Sequence, residues 1–221
     1  YRWQVSASLL SYSETLYNAA LKMKIAHIIS NKVWGGGEQY VYDLCSTLIS
    51  GGNDVEIFTR PIPAIVGKVA TLGVPIHDYS LKNILKLRDG IVHVHNFKDA
   101  LKLAVAKKLT HSNIKIVVTR HLVRPAKTSR LYTWVYANVE KIIFVSDLAR
   151  KAFLSSQPKV DETKLCVVRN SIKTNDNANG FAVDDIKASL SNDTTILMYH
   201  GRIAKEKGLN VLIDAVARLK D

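Results

Sequence analysis

Two stretches constrain the fold of this chain more than any others: Ile116-Val117-Val118 and Ile142-Ile143-Phe144-Val145. Both are too continuously apolar for a sheet with one wet face, because a half-exposed strand alternates apolar and polar residues. Strands are expected at 24–29, 54–58, 91–94, 115–119, 141–145 and 164–168, with a weaker one at 74–77. Between them, helical spacing falls at about 37–50, 98–109, 128–138 and 147–156. Alternation of helices with strands buried on both faces predicts an α/β fold with a doubly wound, mainly parallel sheet.

The rhythm breaks at 169–193, where Asn170, Asn175, Asp176, Asn177, Asn179 and Gly180 crowd together. This polar stretch is expected to cross between domains, with a short helix at 183–190. Beyond it, 195–199 is expected as one further strand and 207–219 as a helix. One strand and one helix cannot bury a core, so the second domain is expected to be cut off at Asp221. At the other end, apolar groups at Leu9, Tyr12, Leu16 and Ala20 predict an amphipathic helix within 3–21.

Composition narrows the partners. The 221 residues carry 31 Lys and Arg against 19 Asp and Glu, a formal net charge of +12. Such a surface favours anions: phosphorylated small molecules, acidic headgroups or nucleic acid. Basic stretches interleaved with aromatics are missing, which disfavours nucleic acid. Cys45 and Cys166 lie far apart without Cys or His companions, excluding a disulfide framework and a zinc ribbon. No apolar run approaches the roughly 20 residues that span a bilayer.

In an open parallel sheet, ligands gather where the strands end. After the first strand come Gly35, Gly36, Gly37 and Glu38, where backbone and helix N–H groups suit a phosphate or carboxylate. The spacing is not GxGxxG, and Phe58-Thr59-Arg60 lacks the acid that grips an NAD ribose, so a dehydrogenase is disfavoured. His93 and His95 point to one face of their strand. With His121 they suggest a metal, but no acid or thiol accompanies them at a metal spacing, so none is expected. His93 is expected to be a hydrogen-bonded, part-buried histidine. His121 follows a buried strand and opens the loop 122–128, where a neutral imidazole can accept a sugar hydroxyl. Arg120, Arg124 and Lys127 at this loop are the better anion ligands, whereas the lysines of 98–109 suit a solvated face. Ser146 is expected as a helix N-cap, not a nucleophile. After the strand at 195–199, Gly201-Arg202 and Glu206-Lys207-Gly208 present a guanidinium fork and an ammonium that could neutralise a diphosphate.

Taken in order, these pieces resemble the N-terminal domain of the family 4 retaining glycosyltransferases, which are two-Rossmann (GT-B) enzymes. The similar pieces are Ile25–Ser30 with Gly35-Gly36-Gly37-Glu38, then Val92-His93-Val94-His95 and Val118-Thr119-Arg120-His121. Ile142-Ile143-Phe144-Val145-Ser146-Asp147, Val167-Val168-Arg169-Asn170-Ser171 and Gly201-Arg202 with Glu206-Lys207-Gly208 follow. The resemblance implies a Rossmann-like acceptor-binding domain over 23–170, a linker over 171–193 and the start of a donor-binding domain over 194–221. Gly36 and Gly37 would lie beside the donor diphosphate or acceptor, with His95, Arg120 and Arg124 as further binding residues. His121 matches the histidine that contacts the donor sugar. Arg202 and Lys207 match the pair that stabilises the departing nucleoside diphosphate. No metal or cofactor is implied, since the UDP- or GDP-linked sugar is a substrate. Arg169-Asn170-Ser171 departs from the family's Pro-Asn-Gly, and the family's paired glutamates would fall beyond Asp221. Residues 1–22 look like the family's extreme C-terminal helix, set here before Met23, as a rearranged chain or a tandem neighbour upstream would produce.

The function expected is nucleotide-sugar-dependent transfer of a sugar to a lipid-linked or polysaccharide acceptor, in cell-envelope glycan synthesis such as lipopolysaccharide. The expected location is the cytoplasm, at the inner face of an anionic membrane. The alternative is a Rossmann module that binds anions or a membrane surface without catalysis.

Overall fold

The computed structural model describes residues 22–171, 195–201, 203 and 205–219. The expected helices within 3–21 and at 183–190 lie outside the described residues. The chain divides into two compact units, Tyr1–Ile172 and Lys173–Asp221.

The first unit is built on seven strands: β1 (Lys24–Ile29), β2 (Asp54–Thr59), β3 (Ile76–Asp78), β4 (Ile91–Val94), β5 (Lys115–Arg120), β6 (Lys141–Phe144) and β7 (Leu165–Val167). All pair in parallel, in the order β3-β2-β1-β4-β5-β6-β7. This is the doubly wound order, whose reversal between β1 and β4 leaves a crevice at the strand ends. The helices are α1 (Gly36–Ser50), α2 (Pro63–Ala70), α3 (Leu81–Ile84), α4 (Phe97–Thr110), α5 (Arg130–Asn138) and α6 (Asp147–Leu154).

Period-two alternation divides the apolar strand residues between two cores. Ala26, Ile28, Val92, Val94, Ile116, Val118, Ile142 and Phe144 pack with Leu103 of α4, Tyr136 of α5 and Phe153 of α6. Ile29, Val55 and Ile57 point the other way, onto Val41 and Cys45 of α1 and Ile65 and Val69 of α2. The middle of this second face is polar. His27 of β1 pairs in register with His93 of β4, and both are buried together with Thr59 and Thr119.

Local chemistry sets several boundaries. Asn96 caps α4 by accepting from the Asp99 amide at 2.9 Å, and Ser146 caps α6 by accepting from Ala149 at 3.1 Å, the role expected of it. Two helices were not expected. In α2 the first-turn Pro63 starts a helix, although Pro and Gly67 read as loop residues. A single turn, α3, is held by its Ser80 cap.

Gly90, ahead of β4, has φ +84°, and a Cβ there would meet the Lys24 carbonyl oxygen at 2.7 Å. Gly90→Ala is therefore expected to destabilise the first unit by about 2–3 kcal/mol, read as a lowered urea midpoint at unchanged slope. An unchanged midpoint would mean that β1 and β4 yield there without cost.

In the second unit the expected strand at 195–199 does not form. Residues 195–200 take no regular structure, and Ile196 and Met198 are 54% and 87% exposed. No strand among the described residues pairs with them, and a lone strand leaves its backbone groups to water. The helix expected at 207–219 is α7 (Leu209–Arg218), preceded by a 3-10 turn at Lys205–Lys207. None of its described residues is buried.

Candidate active site

The carboxyl ends of β1, β2, β4 and β5 surround a cavity of about 620 Å³ in the first unit. Ser30 and Asn31 follow β1, Arg60 follows β2, His95 and Asn96 follow β4, and His121 and Leu122 follow β5. Strand polarity alone brings these residues together, since every parallel strand ends on the same edge.

The histidines form a continuous array beneath this rim. Ring centroids are 4.9 Å apart for His27 and His93, 4.7 Å for His93 and His95, and 5.5 Å for His95 and His121. His93 Nε2 meets Thr119 Oγ1 at 2.7 Å, and His95 Nδ1 meets His121 Nε2 at 3.3 Å. His93 is more buried than expected, at 7% exposure, and is hydrogen-bonded as expected. Burial and neighbouring histidines hold His27 and His95 well below the usual imidazole pKa, and burial brings His93 to about 4. His121 is also lowered by burial, against a smaller opposing pull from Glu38. All four rings are thus neutral at pH 7. In the His95–His121 contact one ring donates and the other accepts, which leaves Nδ1 of His121 for the cavity.

Tyr40 of α1 stands edge-on to both His95 and His121, at 6.0 and 4.9 Å between centroids, and holds the His121 ring from one side. The glycine turn feeds the same helix. Gly35 precedes α1 in an extended conformation, and its N–H donates to Glu38 Oε2 at 2.9 Å. Asn31 Nδ2 donates to the other oxygen of Glu38. A carboxylate therefore already occupies part of the helix start. Gly36 is exposed and Gly37 half-buried, and a Cβ at either would meet nothing within 4 Å, so their backbone leaves room for a ligand.

The basic residues divide by what they touch. One arm of Arg120 donates to the Arg124 and Pro125 carbonyls, and its guanidinium lies over the Phe153 ring at 5.3 Å. Much of it is spent on shaping its own loop. Arg124 and Lys127 line the cavity, and Lys127 reaches Tyr132 Oη at 3.1 Å. Lys98 and Lys102, assigned from sequence to a solvated helix face, line the cavity as well. Arg202 lies outside the described residues, and Lys207 is exposed on the turn before α7.

Three histidines bring ring nitrogens within 4.8 Å of one another: His27, His93 and His95. An ion bound at about 2.0–2.1 Å by each would draw these atoms to roughly 3.3 Å, so the rings would have to close together. His27 escaped the sequence analysis, because only the β1–β4 register sets it beside His93. No helix among the described residues is long and apolar enough to cross a membrane.

The model of Glycosyltransferase Family 4 matches residues 34–176, roughly two-thirds of the chain. Among solved structures, a glycosyltransferase from Rickettsia africae aligns with TM-score 0.69 and 19% identity, over 90% of this chain and 58% of that one. HepE of Anabaena, in complex with UDP and glucose, aligns with TM-score 0.66 and 14% identity, over 89% of this chain and 58% of that one. The apo lipopolysaccharide outer core galactosyltransferase WaaB aligns with TM-score 0.51 and 16% identity, over 68% and 46%. The chain thus spans less than three-fifths of the length of each of these structures, and at such identities the likeness is one of fold. No curated protein matches the sequence.

Proposed function

Because the chain belongs to glycosyltransferase family 4, we propose that its first unit is the acceptor-binding half of a retaining, nucleotide-sugar-dependent hexosyltransferase. One observation carries this reading: His121, braced by Tyr40 and His95, opens into a cavity of about 620 Å³ at the strand ends. In this role Nδ1 of His121 hydrogen-bonds a hydroxyl of the donor sugar and fixes its pose, without carrying charge of its own. Gly36 and Gly37 let the ligand approach the start of α1. Arg202 and Lys207, in the chain's second unit, stabilise charge developing on the leaving diphosphate while the acceptor hydroxyl attacks the same face of the sugar. The donor in this reading is UDP- or GDP-linked, a choice supported by the fold-level likeness to HepE in complex with UDP and glucose, and the reaction uses no metal or cofactor.

The acceptor in this reading is lipid-linked or a polysaccharide of the cell envelope, handled in the cytoplasm at the membrane's inner face. Residues 23–170 are the acceptor domain, 171–193 the linker and 194–221 the opening of the donor domain. Titration with UDP- and GDP-sugars, followed by hydrolysis and transfer assays, tests the proposal. Donor binding with turnover is expected of the complete enzyme. Anion binding with no turnover on any donor would favour the non-catalytic module instead. Arg202→Ala is expected to weaken nucleoside diphosphate binding by about tenfold or more, as loss of a charge-assisted fork does. Unchanged affinity would refute its place at the diphosphate.

A further inference from the structure

The cavity's charge is one-sided. Arg60, Lys98, Lys102, Arg120, Arg124 and Lys127 line it against a single acid, Asp99, leaving a net charge of +5. That acid is already saturated. Asp99 is 2% exposed and accepts from Ser30 Oγ, from Tyr79 Oη and, at 2.7 Å, from Asn96 Nδ2. Its Oδ1 lies 3.7 Å from Lys102 Nζ.

This buried carboxylate organises a wall. Tyr79, anchored by its bond to Asp99, takes a hydrogen bond from Lys102 Nζ at 3.0 Å, and the same ammonium lies 4.8 Å from the Tyr79 ring centre. Arg60 approaches that ring too, at 6.0 Å, and its Nε donates to the Ser30 carbonyl at 2.6 Å. Two cations therefore converge on one aromatic ring, Lys102 paired with the saturated Asp99 carboxylate and Arg60 held by the Ser30 carbonyl. Lys102 is half-exposed and already pairs with Asp99, whereas Arg60 meets only a backbone carbonyl and the Tyr79 ring, so this rim keeps surplus positive charge for an anion.

Resting on the proposed transferase reading, we infer that the acceptor is an anionic glycan, whose phosphate or carboxylate is held by Arg60 and Lys102 while its hydroxyl lies near His121. Arg60 follows β2 and His121 follows β5, and these strands stand three places apart in the sheet. At about 4.8 Å per strand, the bound acceptor spans on the order of 14 Å from anion to reacting end. A free sugar would leave the cavity's surplus positive charge unanswered, so a neutral acceptor binds poorly. Arg124 and Lys127 supply a weaker second anion position near the reacting end.

The test, on the complete enzyme, uses glucose 6-phosphate, glucuronate and glucose as soluble probes, with UDP as the donor-side control. Glucose 6-phosphate is expected to bind at least tenfold more tightly than glucose, and the difference should shrink with added salt. Arg60→Gln and Lys102→Gln should each lose most of that preference while leaving UDP affinity unchanged. Lys108→Gln, an exposed lysine of α4 away from the cavity, should change neither. Equal affinity for glucose and glucose 6-phosphate overturns the inference, as does a double Arg60 and Lys102 variant that keeps the preference. Phosphate recognised only as the headgroup of an anionic vesicle also overturns it. Hydrolysis of a UDP-sugar is scored separately. Turnover without anion preference sinks the inference and spares the transferase reading, while anion preference without turnover does the reverse.

Discussion

Replacing His121 by alanine in the complete enzyme is expected to lower kcat by roughly 10²–10³-fold, the usual cost of losing one pre-placed hydrogen-bonding group. Stability should barely change, with Tm within a few degrees of the parent. The asymmetry follows from where the ring sits. His121 is only part-buried at the rim, it has one protein hydrogen bond, to His95 Nδ1 at 3.3 Å, and its main packing partner is the edge of Tyr40. Truncation therefore removes little apolar contact, yet it takes from the cavity lining an imidazole whose Nδ1 is not used by the bond to His95. His121→Gln should recover part of the rate, because its amide can still reach a hydroxyl. Matched losses of kcat and of Tm would make the histidine a structural strut and remove the catalytic assignment.

The second large effect is on stability against pH. His27, His93 and His95 are buried neutral, with folded pKa values depressed below the ordinary imidazole value of 6.5. As pH falls through about 6.5 the unfolded chain takes up protons that the folded chain refuses. Stability is therefore full above pH 6.5 and declines towards each folded pKa, which is about 4 for His93. His93 alone accounts for about 3 kcal/mol over that interval, at 1.36 kcal/mol per pKa unit. The groups that face the array are Thr119, Tyr40, His121 and, acting on His121, Glu38. No cation among them would already suppress the imidazolium. Urea midpoints at pH 7.5, 6 and 5 should fall steeply, before most carboxylates titrate. A midpoint that stays flat from pH 7 to 5 would mean that these rings protonate in place.

His27 sharpens the test. Both of its ring nitrogens are buried without a hydrogen-bond partner. Unpaired polar atoms in the interior cost stability, so His27→Leu should flatten the pH slope by up to one proton and raise the midpoint at pH 7. A lowered midpoint would show that the imidazole contributes more than its volume.

The strand positions were legible because apolar runs such as 116–118 and 142–145 leave no wet face, and their ends needed adjusting by only a residue or two. Helix α2 was missed because Pro63 and Gly67 punctuate it, although proline is at home in a first helical turn. The strand expected at 195–199 carries the right residues, Thr195-Ile196-Leu197-Met198-Tyr199, and still does not form. Propensity makes a segment able to be a strand, but a paired neighbour is what makes it one.

The site shows the same division. His121, Arg124 and Lys127 could be placed at a strand-end loop from sequence, since a parallel sheet puts every strand's carboxyl end on one edge. That Arg120 would spend an arm on its own loop carbonyls, or that the half-exposed Lys102 would also line the cavity, could not be so placed. Order along the chain determined the fold class, the edge where chemistry gathers and the family. Tertiary structure decided which side chains meet there. His27 joins His93 only through the β1–β4 register, and Arg60 joins Lys102 only through the ring of Tyr79. Such meetings depend on crossover geometry and register, which are non-local and leave no mark on the spacing of residues within any one segment.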